Sequence, residues 1–175
     1  MSKRALTKYL QSLKKKELEN QVLELYSKFK PVATYYNFVF NPKEETLLQE
    51  CKLKISNEYY PFKKTGRRSK PKMRRSVAQK YIKHFLLLGV DPFVIADVML
   101  YNIEIAQTFS SEHDIKQDLF FKSMFNSFEQ AVIFLISNGI LNDFKLRITA
   151  IHDETIKQKW YNEPEFNAII ERFEY

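Results

Sequence analysis

Glycine is scarce in this chain: three residues of 175, Gly66, Gly89 and Gly139. So few leave no room for a fold built from many tight β-turns, nor for a glycine-rich phosphate loop. Cysteine occurs once, as Cys51. That count excludes an intrachain disulfide and a multi-cysteine zinc site, and it suits a reducing compartment. The three histidines, His84, His113 and His152, are isolated and lack His-Glu-x-x-His or Glu-x-x-His spacing. No metal site and no cofactor are expected from them. No signal peptide is expected from the N-terminal residues either. MSKRALTKYLQSLKKKE carries charges at intervals, and Ser2 removes the usual myristoylation acceptor. The most apolar stretch, Phe85 to Ile105, is interrupted by Gly89, Asp91, Pro92 and Asp97. It reads as two buried helices and not as a membrane span. These absences together predict a soluble, cytoplasmic protein with no membrane partner.

Acid is absent from one place in particular. Lys63 to Arg75, KKTGRRSKPKMRR, holds eight basic side chains and no carboxylate: Lys63, Lys64, Arg67, Arg68, Lys70, Lys72, Arg74 and Arg75. The formal net charge is +7, and the rest of the chain carries 20 Lys and Arg against 21 Asp and Glu. The excess therefore belongs to one short segment. The two halves also differ in sign: residues 1–89 have a net charge of +14 and residues 90–175 a net charge of −7. Either the acidic half folds against the basic half and neutralises it, or the molecule turns a basic end towards a partner.

What is present is enough apolar material for a core. Apolar residues make up 45% of the chain and aromatics 15%, which argues against disorder and predicts one helical domain over residues 1–175. Its parts are an N-terminal helical hairpin over 1–30, a basic loop over 60–75 and a helical core over 76–175. Helical periodicity dominates. Leu6, Leu10 and Leu13 share one face of a first helix, and Leu18, Val22, Leu25, Tyr26 and Phe29 one face of a second. Val32–Phe40 has strand-like composition, but a lone strand would have nothing to pair with, so a short helix is preferred. Asn41-Pro42 opens a helix striped by Leu47, Leu48, Cys51, Ile55 and Tyr59, with two acids in its first turn. Ser76 and Gln79 have capping-box spacing for a helix ending at Gly89, and Asp91-Pro92 starts the next. That next helix, Phe93–Phe109, is apolar on most sides and should be central. Phe121, Met124, Phe128, Val132 and Leu135 form another stripe, stopped at Asn138-Gly139. Leu141, Phe144, Ile148 and Ile151 follow, and a last helix comes after Pro164. The fold class is all-α, a single compact helical bundle of about seven to nine helices with no internal repeat.

The strings SKRALTKYL, NFVFNPKEE, RRSVAQKYIKHF and DVMLYNIEIAQTF resemble an uncharacterised family of small soluble bacterial proteins, a domain of unknown function. The resemblance covers most of the chain. It implies a bacterial, soluble, single-domain protein, and it carries no catalytic residue or ligand across.

The basic segment is the leading candidate site. Gly66 and Pro71 disfavour a long helix there, so it should be an extended loop, on which Lys and Arg can follow phosphates. Lys14, Lys15 and Lys16 extend the patch if the fold brings them near. Tyr59, Tyr60, Phe62, Tyr81 and Phe85 flank it. Rings in such places stack on bases in single-strand binders, but more often they anchor a loop to the core, and anchoring is the expectation here. Nothing resembles a base-reading motif, so any nucleic acid would be held through its backbone. Asp97 and Glu104 share a face of the central helix. As an acid/base pair or metal ligands they would be functional; the expectation is that they mark the solvent edge of the helix or pair with Arg74, Arg75, Lys80 or Lys83. Ser110, Ser111, His113 and Asp114 contain the residue types of a triad, but close succession on a loop is poor geometry for one. Cys51, on an apolar stripe, reads as a buried structural thiol.

These residues point first to a non-catalytic binding module that engages nucleic acid or another polyanion through the basic loop. The alternative is a protein-interaction or structural domain, self-associating through its basic and acidic halves or docking on an acidic protein surface. An enzyme comes third, because no nucleophile–base pair or metal shell is visible. Oligomeric state is left open by the sequence.

Overall fold

The computed structural model describes residues 2–62 and 70–172. Among the described residues there are nine helices and no strand, so the protein is all-α. Contacts divide the chain into two units, residues 1–43 and 44–175.

The first unit holds α1 (Lys3–Gln11), α2 (Lys15–Lys28) and α3 (Lys30–Phe40). Ser2 caps α1 by accepting the Ala5 N–H at 3.2 Å. Glu17 accepts the Lys14 N–H at 2.7 Å at the start of α2. The β-rich composition of α3 is overridden as expected: Pro31 fits the first turn, and α3 packs on α2, where the Tyr26 hydroxyl donates to Asn37 Oδ1 at 3.0 Å. None of the three helices has a fully buried residue.

The second unit holds α4 (Glu44–Tyr59), α5 (Arg75–Leu88), α6 (Pro92–Glu112), α7 (Asp118–Ser137), α8 (Leu141–Lys157) and α9 (Glu163–Glu171). The central helix is α6, which packs against α4, α5, α7 and α8. It buries Ile95, Val98, Met99, Leu100, Ile103, Ala106 and Phe109, residues on more than one face of the helix. Around it, α4 buries Cys51 and Ile55, α5 buries Ile82 and Phe85, and α7 buries Met124, Phe128, Val132 and Leu135. Asp91 caps α6 by accepting the Phe93 N–H at 2.7 Å, with Pro92 in the first turn. Gly89 and Gly139 end α5 and α7 in the left-handed region, at φ 71° and 69°, where glycine avoids the Cβ clash. Trp160 stacks edge-on to Phe120 and Phe121, and Phe166 lies 4.9 Å from Phe128, so aromatic rings seat α9 on α7. Among the described residues one helix, α7, is long and apolar enough to cross a membrane by length and composition alone. Its apolar stripe is used here against α6.

Two expected caps are replaced. Asn41 ends α3, donating its N–H to the Asn37 and Phe38 carbonyls, and α4 begins three residues later at Glu44. Ser76 and Gln79 do not form a capping box. The N-cap is Arg74, two residues before Ser76, so the helix starts at Arg75, and the Gln79 amide donates instead to Gln130 on α7 at 2.8 Å. A tertiary hydrogen bond has outcompeted the local one.

Candidate functional site: a basic cleft between two helices

An open cleft of about 1010 Å³ lies in the second unit. One wall is a stripe of α4, Lys54, Asn57 and Glu58, continued by Pro61 and Phe62. The opposite wall is a stripe of α5, Val77, Lys80, Tyr81 and His84, spaced i, i+3, i+4, i+7 on one helix face. Lys70, Lys72, Arg74 and Ser76 complete the lining. The helices present these residues because their neighbours at complementary spacing, Ile55 on α4 and Ala78, Ile82 and Phe85 on α5, are buried in the core.

The segment before α5 is fastened to the end of α4 through one residue. Glu58 lies in the last turn of α4, where its backbone carbonyl has no helical partner. That oxygen accepts the N–H groups of both Lys72 (2.9 Å) and Met73 (3.1 Å). Met73 adopts φ 51° at this turn, a left-handed conformation that costs a non-glycine residue about 1–2 kcal/mol. The Glu58 carboxylate accepts the Arg74 N–H at 3.3 Å and two guanidinium bonds of 2.8 Å. The guanidinium hydrogen bonds hold the Glu58 carboxyl below its usual range, against the opposing push of burial.

Glu58 is the one carboxylate among the described residues of the lining, and Arg74 neutralises it. Lys54, Lys70, Lys72 and Lys80 remain, and among the described residues none of them meets a carboxylate within ion-pair distance. Among the described residues, none of the acidic stretch 90–175 lines the cleft. The arrangement is a concave surface carrying uncompensated positive charge, with a ring and an imidazole on one wall.

Of the residues that the sequence singled out, Lys70, Lys72 and Arg74 meet in this cleft. Arg75 is turned to α7, where Nε donates to Ser127 Oγ and Nη2 to Gln130 Oε1, both at 2.8 Å. Burial there lowers its pKa from the ordinary arginine value. Lys63, Lys64, Arg67 and Arg68 lie outside the described residues. Sequence reasoning missed Lys54, Asn57 and Lys80, and did not place Tyr81 and His84 together. The spacing of Val77, Lys80, Tyr81 and His84 opposite a buried stripe was the available signal.

The flanking rings divide. Tyr59 and Phe85 are buried in the core, and Tyr60 is tied to Glu112 at 2.9 Å. Phe62 and Tyr81 instead face the cleft.

The carboxylates of the central helix are paired, though not with the expected partners. Asp97 meets Lys52 at 2.6 Å and Arg147 at 2.7 Å, and Arg147 also reaches Glu104 with two bonds of 2.8 Å. The ion pairs tie α6 to α4 and α8. Arg74, Arg75, Lys80 and Lys83 take no part, so the network leaves the basic cleft unneutralised. The hydroxyls of Ser110 and Ser111 donate to carbonyls one turn back in α6, and the His113 ring stacks on Phe109 at 4.1 Å. They do not assemble with Asp114, which pairs with Lys116. Cys51 is fully buried, and burial pushes its thiol up to about 12. Among the described residues no group of three or more His, Cys, Asp or Glu side chains is placed to hold a metal ion.

No curated protein and no solved structure matches the chain. Residues 1–174 match the family described as a family of unknown function, DUF6155, and the chain belongs to that family.

Proposed function

We propose that the protein is a non-catalytic binding module whose cleft between α4 and α5 takes a polyanion, with nucleic acid the leading ligand. The observation that carries this reading is the lining itself: five Lys and Arg side chains and one carboxylate, with that carboxylate already bound to Arg74. Polyanionic backbones reward such a cluster because each neutralised phosphate releases counterions. The flanking Lys63, Lys64, Arg67 and Arg68 add long-range attraction through their charge alone.

Fluorescence anisotropy of labelled oligonucleotides tests it, comparing wild type with the Lys54→Ser, Lys72→Ser, Lys80→Ser triple variant. Binding should be salt-sensitive. The triple variant should lower the salt slope by roughly 0.7 for each single-strand phosphate that it no longer neutralises. Absence of binding by the wild type at low salt would refute the reading.

A second reading, a protein-interaction domain, is favoured by the first unit. Leu23, Phe29, Tyr35, Val39 and Phe40 are all exposed there, and Phe40 is 83% accessible. Apolar faces of this kind mark protein contacts. Light scattering over a range of protein and salt concentrations separates the two: self-association through these apolar faces gives a mass that rises with protein concentration and does not fall with salt.

A further inference from the structure

We infer that the cleft between α4 and α5 is built for a single nucleic-acid strand, with Phe62 and Tyr81 receiving bases and Lys54, Lys72 and Lys80 receiving phosphates. This rests on the polyanion reading of the same cleft and narrows it to one ligand class.

Shape is the first argument. The lining is concave, and its volume of about 1010 Å³ is at the top of the range of ~300–1,000 Å³ that holds drug-sized molecules. Successive nucleotides of a flexible strand can enter such a space. A duplex turns its phosphates outward on a convex cylinder, whose major groove alone is ~12 Å wide, and would rest across the rim. Lys54 on α4 and Lys80 on α5, both exposed along the lining of an open concave surface, suit the backbone of a strand laid in it better than the cylinder.

The rings are the second argument. A cleft meant only for phosphate needs no aromatic surface, yet two rings face this one. Phe62 is 68% accessible, a large apolar area to leave in water. Tyr81 is held edge-on against the buried Phe85, with centroids 6.4 Å apart, so its plane is fixed before any ligand arrives. A pre-oriented ring loses little entropy on stacking. Lys80 precedes Tyr81 directly and Lys54 stands on the facing wall, which places charge beside the ring in the alternation that single-strand grooves use. Asn57, Ser76 and His84 add polar groups to the same lining, and among the described residues no hydrogen bond engages their side chains.

The test uses the full chain and three probes: labelled oligothymidylate, a labelled duplex of equal length, and inorganic polyphosphate as a competitor that has charge but no bases. The variant is Phe62→Ala with Tyr81→Leu, which removes both rings while keeping an apolar group against Phe85. Tyr81→Phe serves as a second variant that keeps the ring, and circular dichroism checks that each protein is folded. Wild type should bind the single strand more tightly than the duplex. The double variant should lose at least about fivefold in affinity for oligothymidylate, since each stacked base is worth ~1–3 kcal/mol, and should keep its affinity for polyphosphate. Tyr81→Phe should bind as wild type does. Equal binding of strand and duplex, or an unchanged double variant, would overturn the single-strand inference while leaving polyanion binding intact. Failure of the wild type to bind either oligothymidylate or polyphosphate at low salt would overturn both.

Discussion

Arg74 grips Glu58 with two parallel bonds, Nε to Oε2 and Nη2 to Oε1, each 2.8 Å long. The pair takes one cation of the most basic segment in the chain and uses it to fix that segment to the end of α4. Charge density and structural role are thereby separated residue by residue. Arg74 and Arg75 are held by hydrogen bonds, whereas Lys70 and Lys72 beside them keep their charge for the cleft.

Glu58→Gln should move stability and polyanion binding in opposite directions. Glu58 is largely buried, with its side chain 11% accessible, while Arg74 is about half exposed. Removing the charge should therefore cost about 1–2 kcal/mol, below the ~3–5 kcal/mol of a fully buried pair. The same change releases the Arg74 guanidinium and deletes the only negative charge among the described residues of the lining, so affinity for polyphosphate should rise and its salt slope steepen. The pH dependence follows from the lowered carboxyl pKa. The folded carboxyl ionises below the ordinary value of 4.5, so its contribution is fully present above that pH and is lost as pH falls through the folded value. Melting temperature measured from pH 6 downward should fall more steeply for wild type than for Glu58→Gln. Parallel curves would show that the pair does not contribute.

Much of the helix plan was legible in the sequence because it depends on spacing within one helix. The stripe of α7, the Asp91-Pro92 start of α6 and the glycine stops at Gly89 and Gly139 need no tertiary information. The strand-like composition of α3 yields to helix because an isolated strand has nothing to pair with. The failures share a cause. Gln79 has the spacing of a capping partner, but its amide is taken by Gln130 on α7, which no local pattern announces. Likewise Asp97 and Glu104 were bound to find cations, yet Lys52 and Arg147 come from residues far along the chain in both directions. The cleft was half visible. A dense run of Lys and Arg marks itself, whereas Lys54 and Lys80 are single charges on amphipathic helices and acquire meaning only when α4 and α5 face each other.

Arg147 ties α8 to α6, and its loss should be felt as stability. It donates to Asp97 and, with two bonds, to Glu104. Lys52 can still satisfy Asp97 if Arg147 is removed, but Glu104 is left half-buried without its cation. Arg147→Met should cost about 2–3 kcal/mol, reduced from the buried-pair range because each group is partly in solvent. Arg147→Lys should recover little of it, since an ammonium cannot make the forked contact with Glu104 while reaching Asp97. The urea midpoint reads both variants. A lysine variant as stable as wild type would mean that charge alone, and not the fork, joins α6 to α8.

Cys51 offers a direct report on the interface of α4 with the core. Its side chain is wholly inaccessible, and burial among apolar neighbours disfavours the thiolate, pushing the pKa up to about 12. At pH 8 a group with that pKa is ionised in about one molecule in ten thousand, and the thiolate is the reactive species. The native protein should therefore react with a disulfide reagent such as DTNB at a rate set by opening of the structure. Raising the pH from 7 to 9 would speed an exposed thiol of ordinary pKa strongly through that range. Here the rate should lie below that of an exposed thiol at every pH, by the fraction of molecules that are open, and should rise with urea in step with loss of helical signal. Reagents that differ in size should give the same limiting rate once opening is the slow step. Fast labelling in the absence of urea would place Cys51 at an accessible position and contradict its burial in the core.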